Sequence, residues 1–329
     1  LTATMGAQVR TAVVALGGNA ITRAGQAGTS DEQLANARGM ADAVCELHAA
    51  GWRVVLVHGN GPQVGNLAIQ QDEAAHRVPR MPMYLLDAMT EGQLGSVVTL
   101  ALHEAGGGQL PGIVTVITHV VVDESDPAFA RPTKPVGPFM SADEAKQRSD
   151  ELGWVVAEDA GRGYRRLVPS PQPREIVELE AVTALVERGQ IVIAAGGGGV
   201  PVVVDGGAYR GVDAVIDKDI AAQRLATALG AEALVLVTDV ARVALDHGTE
   251  HERPIEVMSV DEAQAHADDG QFPEGSMGPK VRAAIQFLRA GGRTAVITNA
   301  ALAGTSLGPS GTGTRIVAAP RPLDARIGA

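Results

Sequence analysis

Three lysines stand in settings that ordinary surface lysines do not occupy. Lys134 lies in Pro132-Thr133-Lys134-Pro135, where flanking prolines stiffen the backbone. Lys218 sits between Asp217 and Asp219 where a helical pattern opens. Lys280 follows Gly275-Ser276-Met277-Gly278-Pro279, and Pro279 suits the first turn of a helix. A positive charge at a helix N-terminus opposes the helix dipole. Lys218 and Lys280 both break that preference, which is tolerable when an anion shares the spot. Phosphoryl transfer requires such an arrangement, because negative charge spreads over the transferring oxygens. Asp217 and Asp219 can cap the helix, or can orient the lysines and hold them charged. Thr238-Asp239 ends a strand and suits either a nucleotide contact or a plain turn. The eight histidines are scattered, and only His58, before Gly59, falls near this chemistry; it reads as structural. No His, Cys, Asp or Glu cluster has metal-ligand spacing.

Four glycine-rich turns accompany the lysines: Gly17-Gly18-Asn19, Gly59-Asn60-Gly61, Gly196 to Gly199, and Gly275-Ser276-Met277-Gly278. Glycine lets backbone N–H groups approach an anion, and a following helix adds its positive end. One such turn is only a turn; four in one sheet point to a large, multiply anionic ligand. A Walker A loop is absent. Gly59-Asn60-Gly61 with Gly65 loosely matches a dinucleotide fingerprint, but it follows the second strand rather than the first, and a dehydrogenase leaves the lysines unexplained.

The elements that must position these residues alternate. Val9–Leu16, Trp52–Val57, Ile113–Val122, Ile191–Ala195, Ala233–Val237 and Thr294–Thr298 read as buried strands. Helical patterns run from Asp31 (capped by Ser30) toward Gly51, and over Gln63–His76, Tyr84–Glu104, Arg174–Arg188, Lys218–Leu229 and Pro279–Arg289. Strands alternating with helices predict a three-layer αβα sandwich around a mainly parallel sheet. Ligands bind such sheets at the carboxyl ends of the strands, where the glycine turns lie. The pattern breaks between Asp123 and Val168, where Pro127, Pro132, Pro135 and Pro138 interrupt short polar strands and Pro169 follows at the edge. This stretch is expected to be an inserted subdomain projecting from the sheet.

Composition narrows the class. A net charge of −11 argues against general nucleic-acid binding. It also means that any site for anions must be locally positive inside a negative molecule. The lone Cys45 cannot form an intramolecular disulfide and falls in a helical pattern, where packing is its expected role. No apolar run is long enough to span a membrane, no signal peptide is recognisable, and a cytoplasmic protein is expected. Leu1–Ala7 is expected to be disordered, with Met5 a candidate start.

These segments together resemble the carbamate kinases, a branch of the amino-acid kinase superfamily. The resemblance runs from about Val13 to Ile316. It is carried by Ala15-Leu16-Gly17-Gly18-Asn19-Ala20, His58 through Gly65, Pro132 through Phe139, Val168-Pro169-Ser170-Pro171, Gly196 through Pro201, Val215 through Asp219, Thr238-Asp239-Val240 and Gly275 through Lys280. Pro-Thr-Lys-Pro separates this branch from its relatives. Those carry a lysine before the first glycine pair, where this chain has Ala15, and the resemblance implies that Lys134 from the projecting lid would take its place.

The resemblance implies reversible, direct, in-line phosphoryl transfer between ATP and carbamate, with Mg²⁺ on the nucleotide and a homodimeric enzyme. Lys134, Lys218 and Lys280 would neutralise the transferring group, organised by Asp219. Gly17, Gly18, Asn19, Gly59 and Asn60 would serve carbamate or carbamoyl phosphate in an N-terminal lobe, residues 9–205, which includes the lid at 123–168. Gly196, Gly197, Thr238, Asp239, Met277 and Gly278 would serve ATP or ADP, in a nucleotide lobe at residues 206–329 for all but the first two. The chain departs from the family in two places. No aromatic residue follows Thr238-Asp239-Val240 within Ala241 to Ala244, and Glu91 replaces a usual glutamine. Two other readings compete: a related kinase with a different small acceptor, separable by an acceptor panel, and a nucleotide sensor without catalysis, disfavoured because all three lysines are present.

Overall fold

The computed structural model describes residues 10–17, 21–23, 25–159 and 161–318. Val9, the expectation on Leu1–Ala7, and the candidate residues Gly18 and Asn19 lie outside the described residues.

The central sheet has eight strands. From edge to edge they are Val257–Ser259, Thr314–Val317, Thr294–Asn299, Ala233–Thr238, Arg10–Leu16, Trp52–His58, Ile191–Ile193 and Ile113–Thr115. All neighbours pair in parallel except Thr294–Asn299 with Thr314–Val317. The apolar runs in these strands alternate between the two faces. Val13, Ala15, Val55, Val57, Leu234 and Leu236 join one core. Ala12, Val14, Leu16, Val54, Leu56, Val235 and Val237 join the other. Helices Leu179–Glu187, Lys218–Ala228, Val260–Asp268 and Met277–Arg289 contribute to the first core, and Ser30–Ala49, Met83–Gly106 and Ala300–Ala303 to the second. The three-layer αβα sandwich expected from the strand–helix alternation is therefore the observed fold.

Three local readings are corrected. The helix at Ser30–Ala49 is capped by Thr29, whose hydroxyl accepts from Glu32 N while Glu32 reaches back, so Ser30 is its first residue and not its cap. The apolar run Ile113–Val122 is two strands: Ile113–Thr115 in the main sheet and His119–Val121 in a second, four-stranded sheet. Between them Thr118 turns its hydroxyl back onto Val116 O, a local bond that competes with continued pairing. The expected helix Arg174–Arg188 starts only at Leu179. Glu175–Ile176 pairs instead with His119–Val121, and the Glu178 carboxylate accepts from His119 N at 2.7 Å.

The insertion folds as a three-stranded sheet, Lys134–Met140, Tyr164–Val168 and Val155–Glu158, with one helix, Ala142–Leu152. Met140, Ala145 and Trp154 form its own small core, joined by Ile69 from the helix Gly61–Ala74.

Candidate active site

The chain reaches the site by turning at the carboxyl ends of adjacent strands. Gly17 follows Arg10–Leu16, Gly59 follows Trp52–His58, and Asp239 follows Ala233–Thr238. The Gly196–Gly198 turn comes after Ile191–Ile193. Two helices begin at this edge without a side-chain cap: Gly61–Ala74 after Asn60, and Met277–Arg289 after Ser276. Among their first residues Pro62 and Pro279 carry no N–H and Gly278 N is taken by Pro273 O, so the N–H groups of Gly61 and Met277 are the ones an anion can take. Lys218–Ala228 differs, because Asp217 caps it: its Oδ1 accepts from Asp219 N at 2.9 Å.

The three lysines, which arrive from three separate elements, meet on two aspartates. Lys134 Nζ donates to Asp217 Oδ2 at 2.5 Å across 83 residues of sequence. Lys218 Nζ donates to Asp219 Oδ1 at 2.9 Å, and Lys280 Nζ to Asp219 Oδ2 at 3.1 Å. Lys218, Asp219 and Lys280 are buried, and Lys134 and Asp217 are partly exposed. Burial alone would raise both carboxyls, but the lysines outweigh it and hold Asp217 and Asp219 below the usual carboxylate range. Burial also works against the buried lysines. It prevails at Lys218, which also feels Lys280, and lowers that ammonium's pKa. At Lys280 the nearby Asp219, with Asp217 and Asp239, outweighs burial and raises it. Asp219 thus bonds two of the three lysines that the resemblance set around it, while Asp217, considered only as a cap or a charge among lysines, bonds the third.

The other candidate residues take these places. Gly59 N donates to Leu16 O at 3.2 Å, continuing the strand pairing. Asn60 is buried, and its amide gives both hydrogens away, to Asp87 Oδ1 at 2.9 Å and Thr90 Oγ1 at 3.0 Å. Its backbone N–H is then its remaining donor for a ligand. Gly196 and Gly197 belong to a tight turn in which Ala195, at φ 50°, and Gly197 to Gly199 are all left-handed. Thr118 clamps this turn from both sides: its hydroxyl accepts from Ala195 N at 2.9 Å and its carbonyl from Val200 N at 2.8 Å. A Cβ on Gly197 would meet the Asn60 amide at 2.2 Å, so no side chain fits. Thr238 ends its strand paired with Asn299. Met277 opens its helix, and Gly278 N is taken by Pro273 O at 2.9 Å. Pro279 is the third helical residue, not the first.

Beneath the glycine turns lies a buried polar group that sequence reasoning left unassigned. Glu91 Oε2 accepts from Thr118 N at 2.8 Å, so Glu91 backs the clamp on the glycine turn. Asp87, four residues earlier on the same helix, receives Asn60. Burial, foremost, raises both carboxyls well above the ordinary range, which favours their neutral forms. His58 is equally buried, which pushes its pKa down to about 4 and keeps it neutral too. Among the described residues, Glu91 Oε1, Asp87 Oδ2 and His58 Nε2 have no hydrogen-bond partner. Two acids at i,i+4 in an otherwise apolar helix were the available signal for this cluster. His58 is buried at the end of its strand, and Cys45 is half-buried on the helix Ser30–Ala49.

The profile of the Amino acid kinase family matches residues 10–299, which makes the αβα sandwich and its lysine cluster a phosphotransferase scaffold. A carbamate kinase of Pyrococcus horikoshii is 48% identical over 291 residues, covering 87% of this chain and 93% of the relative. Two solved structures of carbamate kinase from Giardia lamblia superpose closely. The one bound to citric acid has a TM-score of 0.89 at 41% identity, covering 94% of this chain and 98% of its own. The one bound to AMP-PNP has a TM-score of 0.85 at the same identity and coverage. The chain belongs to the carbamate kinases of the amino acid kinase family.

Proposed function

We propose that this site moves a phosphoryl group directly between carbamoyl phosphate and ADP, giving carbamate and ATP, and runs in reverse when ATP is supplied. The observation that carries the reading is the convergence of Lys134, Lys218 and Lys280 on Asp217 and Asp219, at 2.5 to 3.1 Å, beside two helix starts that lack side-chain caps. Such a site has little covalent work to do. Its contribution is to place two anions in line and to neutralise charge that builds on the oxygens between them. Lys218 and Lys280 serve the phosphates of the nucleotide and Lys134 the phosphoryl from the acceptor side. Gly17, Gly18, Asn19, Gly59 and the Asn60 backbone would hold carbamate, and Gly196, Gly197, Thr238, Asp239, Met277 and Gly278 the nucleotide. The AMP-PNP held by the Giardia relative supports a nucleotide on this scaffold.

Mg²⁺ enters as part of the nucleotide substrate. The donor set fits that role rather than a protein cage, because all four oxygens of Asp217 and Asp219 are already engaged by lysines and by Asp219 N. Two further features belong to the same proposal. The helix Met83–Gly106 leaves Leu85, Met89 and Leu100 37%, 46% and 57% exposed, and Ile117 beside the edge strand is 46% exposed. This apolar stripe suits a second copy of the chain, hence a homodimer, whose mass in solution can be measured by sedimentation. The nucleotide substrate suits a cytoplasmic enzyme of carbamoyl phosphate metabolism, such as arginine breakdown.

The decisive test is ATP formation from MgADP and carbamoyl phosphate by the purified protein in a coupled assay. Folded protein that makes ATP no faster than carbamoyl phosphate breaks down by itself would overturn the reading.

A further inference from the structure

Lys134 can act only if the inserted subdomain presents it at one place, and an unusual contact fixes that place. The strand Lys134–Met140 lies across the helix Gly61–Ala74 with backbone against backbone. A Cβ on Gly65 would stand 1.9 Å from Gly137 Cα and 2.1 Å from Gly137 N. Those are main-chain atoms, which cannot rotate aside as a side chain can. From the other side, a Cβ on Gly137 would stand 3.3 Å from Gly65 Cα, and Gly137 has φ 76°, a conformation that favours glycine. The strand register shifts just here, between Val136 and Met140. Arg165 Nε holds the irregular segment by donating to Gly137 O at 3.0 Å.

The contact is also flanked by a packed seat. Val64 on the helix and Val136 on the strand, each buried, join Ala68, Met83, Leu86, Val168 and Val215 in one apolar cluster. Val215 N in turn donates to Pro169 O at 2.9 Å, just after the returning strand and two residues before Asp217. The seat, the lysine and its aspartate therefore form one continuous piece, with Gly137 only three residues from Lys134.

We propose that Gly65 and Gly137 are positioning residues for phosphoryl transfer: their side-chain-free contact seats the inserted subdomain at the one height from which Lys134 reaches the transferring group. The inference rests on the phosphotransfer reading above. It adds that residue 65, which need touch neither substrate nor reacting atom, controls turnover through Lys134.

The perturbation is Gly65→Ala. Its methyl would have to retreat from 1.9 Å to an ordinary contact of 3.4 Å or more, so the strand lifts by more than an ångström. A misplacement of about 1 Å costs on the order of 100-fold in rate. Gly65→Ala should therefore lower kcat about 100-fold while leaving the Kd for MgADP, measured by calorimetry, within twofold. The same change made in Lys134→Met should lower kcat no further, because the group through which it acts is gone. Val136→Ala, which loosens the seat instead of overfilling it, should show the same dependence on Lys134 and stands in if Gly65→Ala fails to fold. Gly39→Ala, at a helix position with nothing within 4 Å of the new methyl, should behave as wild type.

Folded Gly65→Ala with wild-type turnover overturns the inference, and so does a full loss that persists in the Lys134→Met background. Neither result touches the phosphotransfer reading, which fails only if the wild type makes no ATP.

Discussion

Asp219→Asn removes one charge and leaves the shape of the site almost unchanged. In the wild type that carboxylate lies between two buried ammoniums, at 2.9 Å from Lys218 Nζ and 3.1 Å from Lys280 Nζ. At an effective dielectric of about 20, each contact is worth roughly 5 kcal/mol before desolvation is counted. Burial of three charged groups offsets much of that gain, so the pair interactions alone overstate the effect. Measured losses on breaking a buried pair run to about 3–5 kcal/mol, because the partner is left charged and uncompensated. Here two partners are stranded, and they also repel each other. The variant should lose stability of that order and melt several degrees below wild type.

Catalysis should suffer as well, by about 10²–10³-fold, comparable with loss of one well-placed electrostatic group. The pH dependence gives a signature. Asp219 is the chief reason the Lys280 pKa lies above an ordinary lysine's. Without it Lys280 gives up its proton at lower pH, so activity of the variant should fall away earlier on the alkaline side. Scanning calorimetry and a pH–rate profile of Asp219→Asn against wild type provide the comparison. Turnover within fivefold of wild type, with an unchanged melting temperature, would refute the view that this carboxylate holds two lysines for the reaction.

Lys134→Met should lower turnover by about 10²–10³-fold and weaken carbamoyl phosphate binding, while Lys146→Met, whose partner is the exposed Asp150, should match wild type in the same assay. Burial raises the Glu91 pKa, so stability is lost as pH climbs past its unfolded value near 4.5. Glu91→Gln cannot ionise and should melt higher than wild type at pH 8, with little difference at pH 4, as thermal denaturation at the two pH values would reveal. His58 acts on the opposite flank: its folded pKa of about 4 lies below the ordinary 6.5, so about 3 kcal/mol should be lost as pH falls between those values, and His58→Gln should flatten that slope. MgADP with carbamoyl phosphate should slow amide hydrogen exchange across Ala142–Leu152 if the inserted subdomain closes as a lid; equal exchange with and without ligands would mark it as a fixed wall.

The lysines were legible in the sequence because each violated a local rule: two cations at helix starts and one between prolines. Strands such as Trp52–His58 were legible because both faces are buried, which leaves a continuous apolar run. What the sequence hid was pairing over distance. Nothing local in Asp217 tells that its second oxygen belongs to Lys134, 83 residues away. Gly65 falls within a helical pattern and Gly137 between Pro135 and Pro138, and nothing local to either tells that their backbones meet. Ile113–Val122 misled for the opposite reason: every residue but His119 is β-branched, which reads as one strand, and only Thr118 and the demands of two different sheets divide it. Glu91 was noticed as a departure from a usual glutamine, but its role in holding Thr118 depends on a hydrogen bond between a helix and a crossover that share no pattern.

The carboxylates among the lysines bear on how an anion gains entry to a molecule with a net charge of −11. Three lysines set against Asp217 and Asp219 leave a surplus of one positive charge, and the nearby Asp239 reduces even that at longer range. The site is consequently not an open sink that draws in every passing anion. On the proposed function it would work as an ion exchanger: an incoming phosphate would take over lysine contacts that a carboxylate already holds, and the released carboxylate oxygens would need water or another donor. Discrimination is built into that exchange. A chloride ion or a lone bicarbonate offers too few oxygens to replace several contacts at once, whereas a polyphosphate chain meeting a carbamoyl phosphate replaces them together.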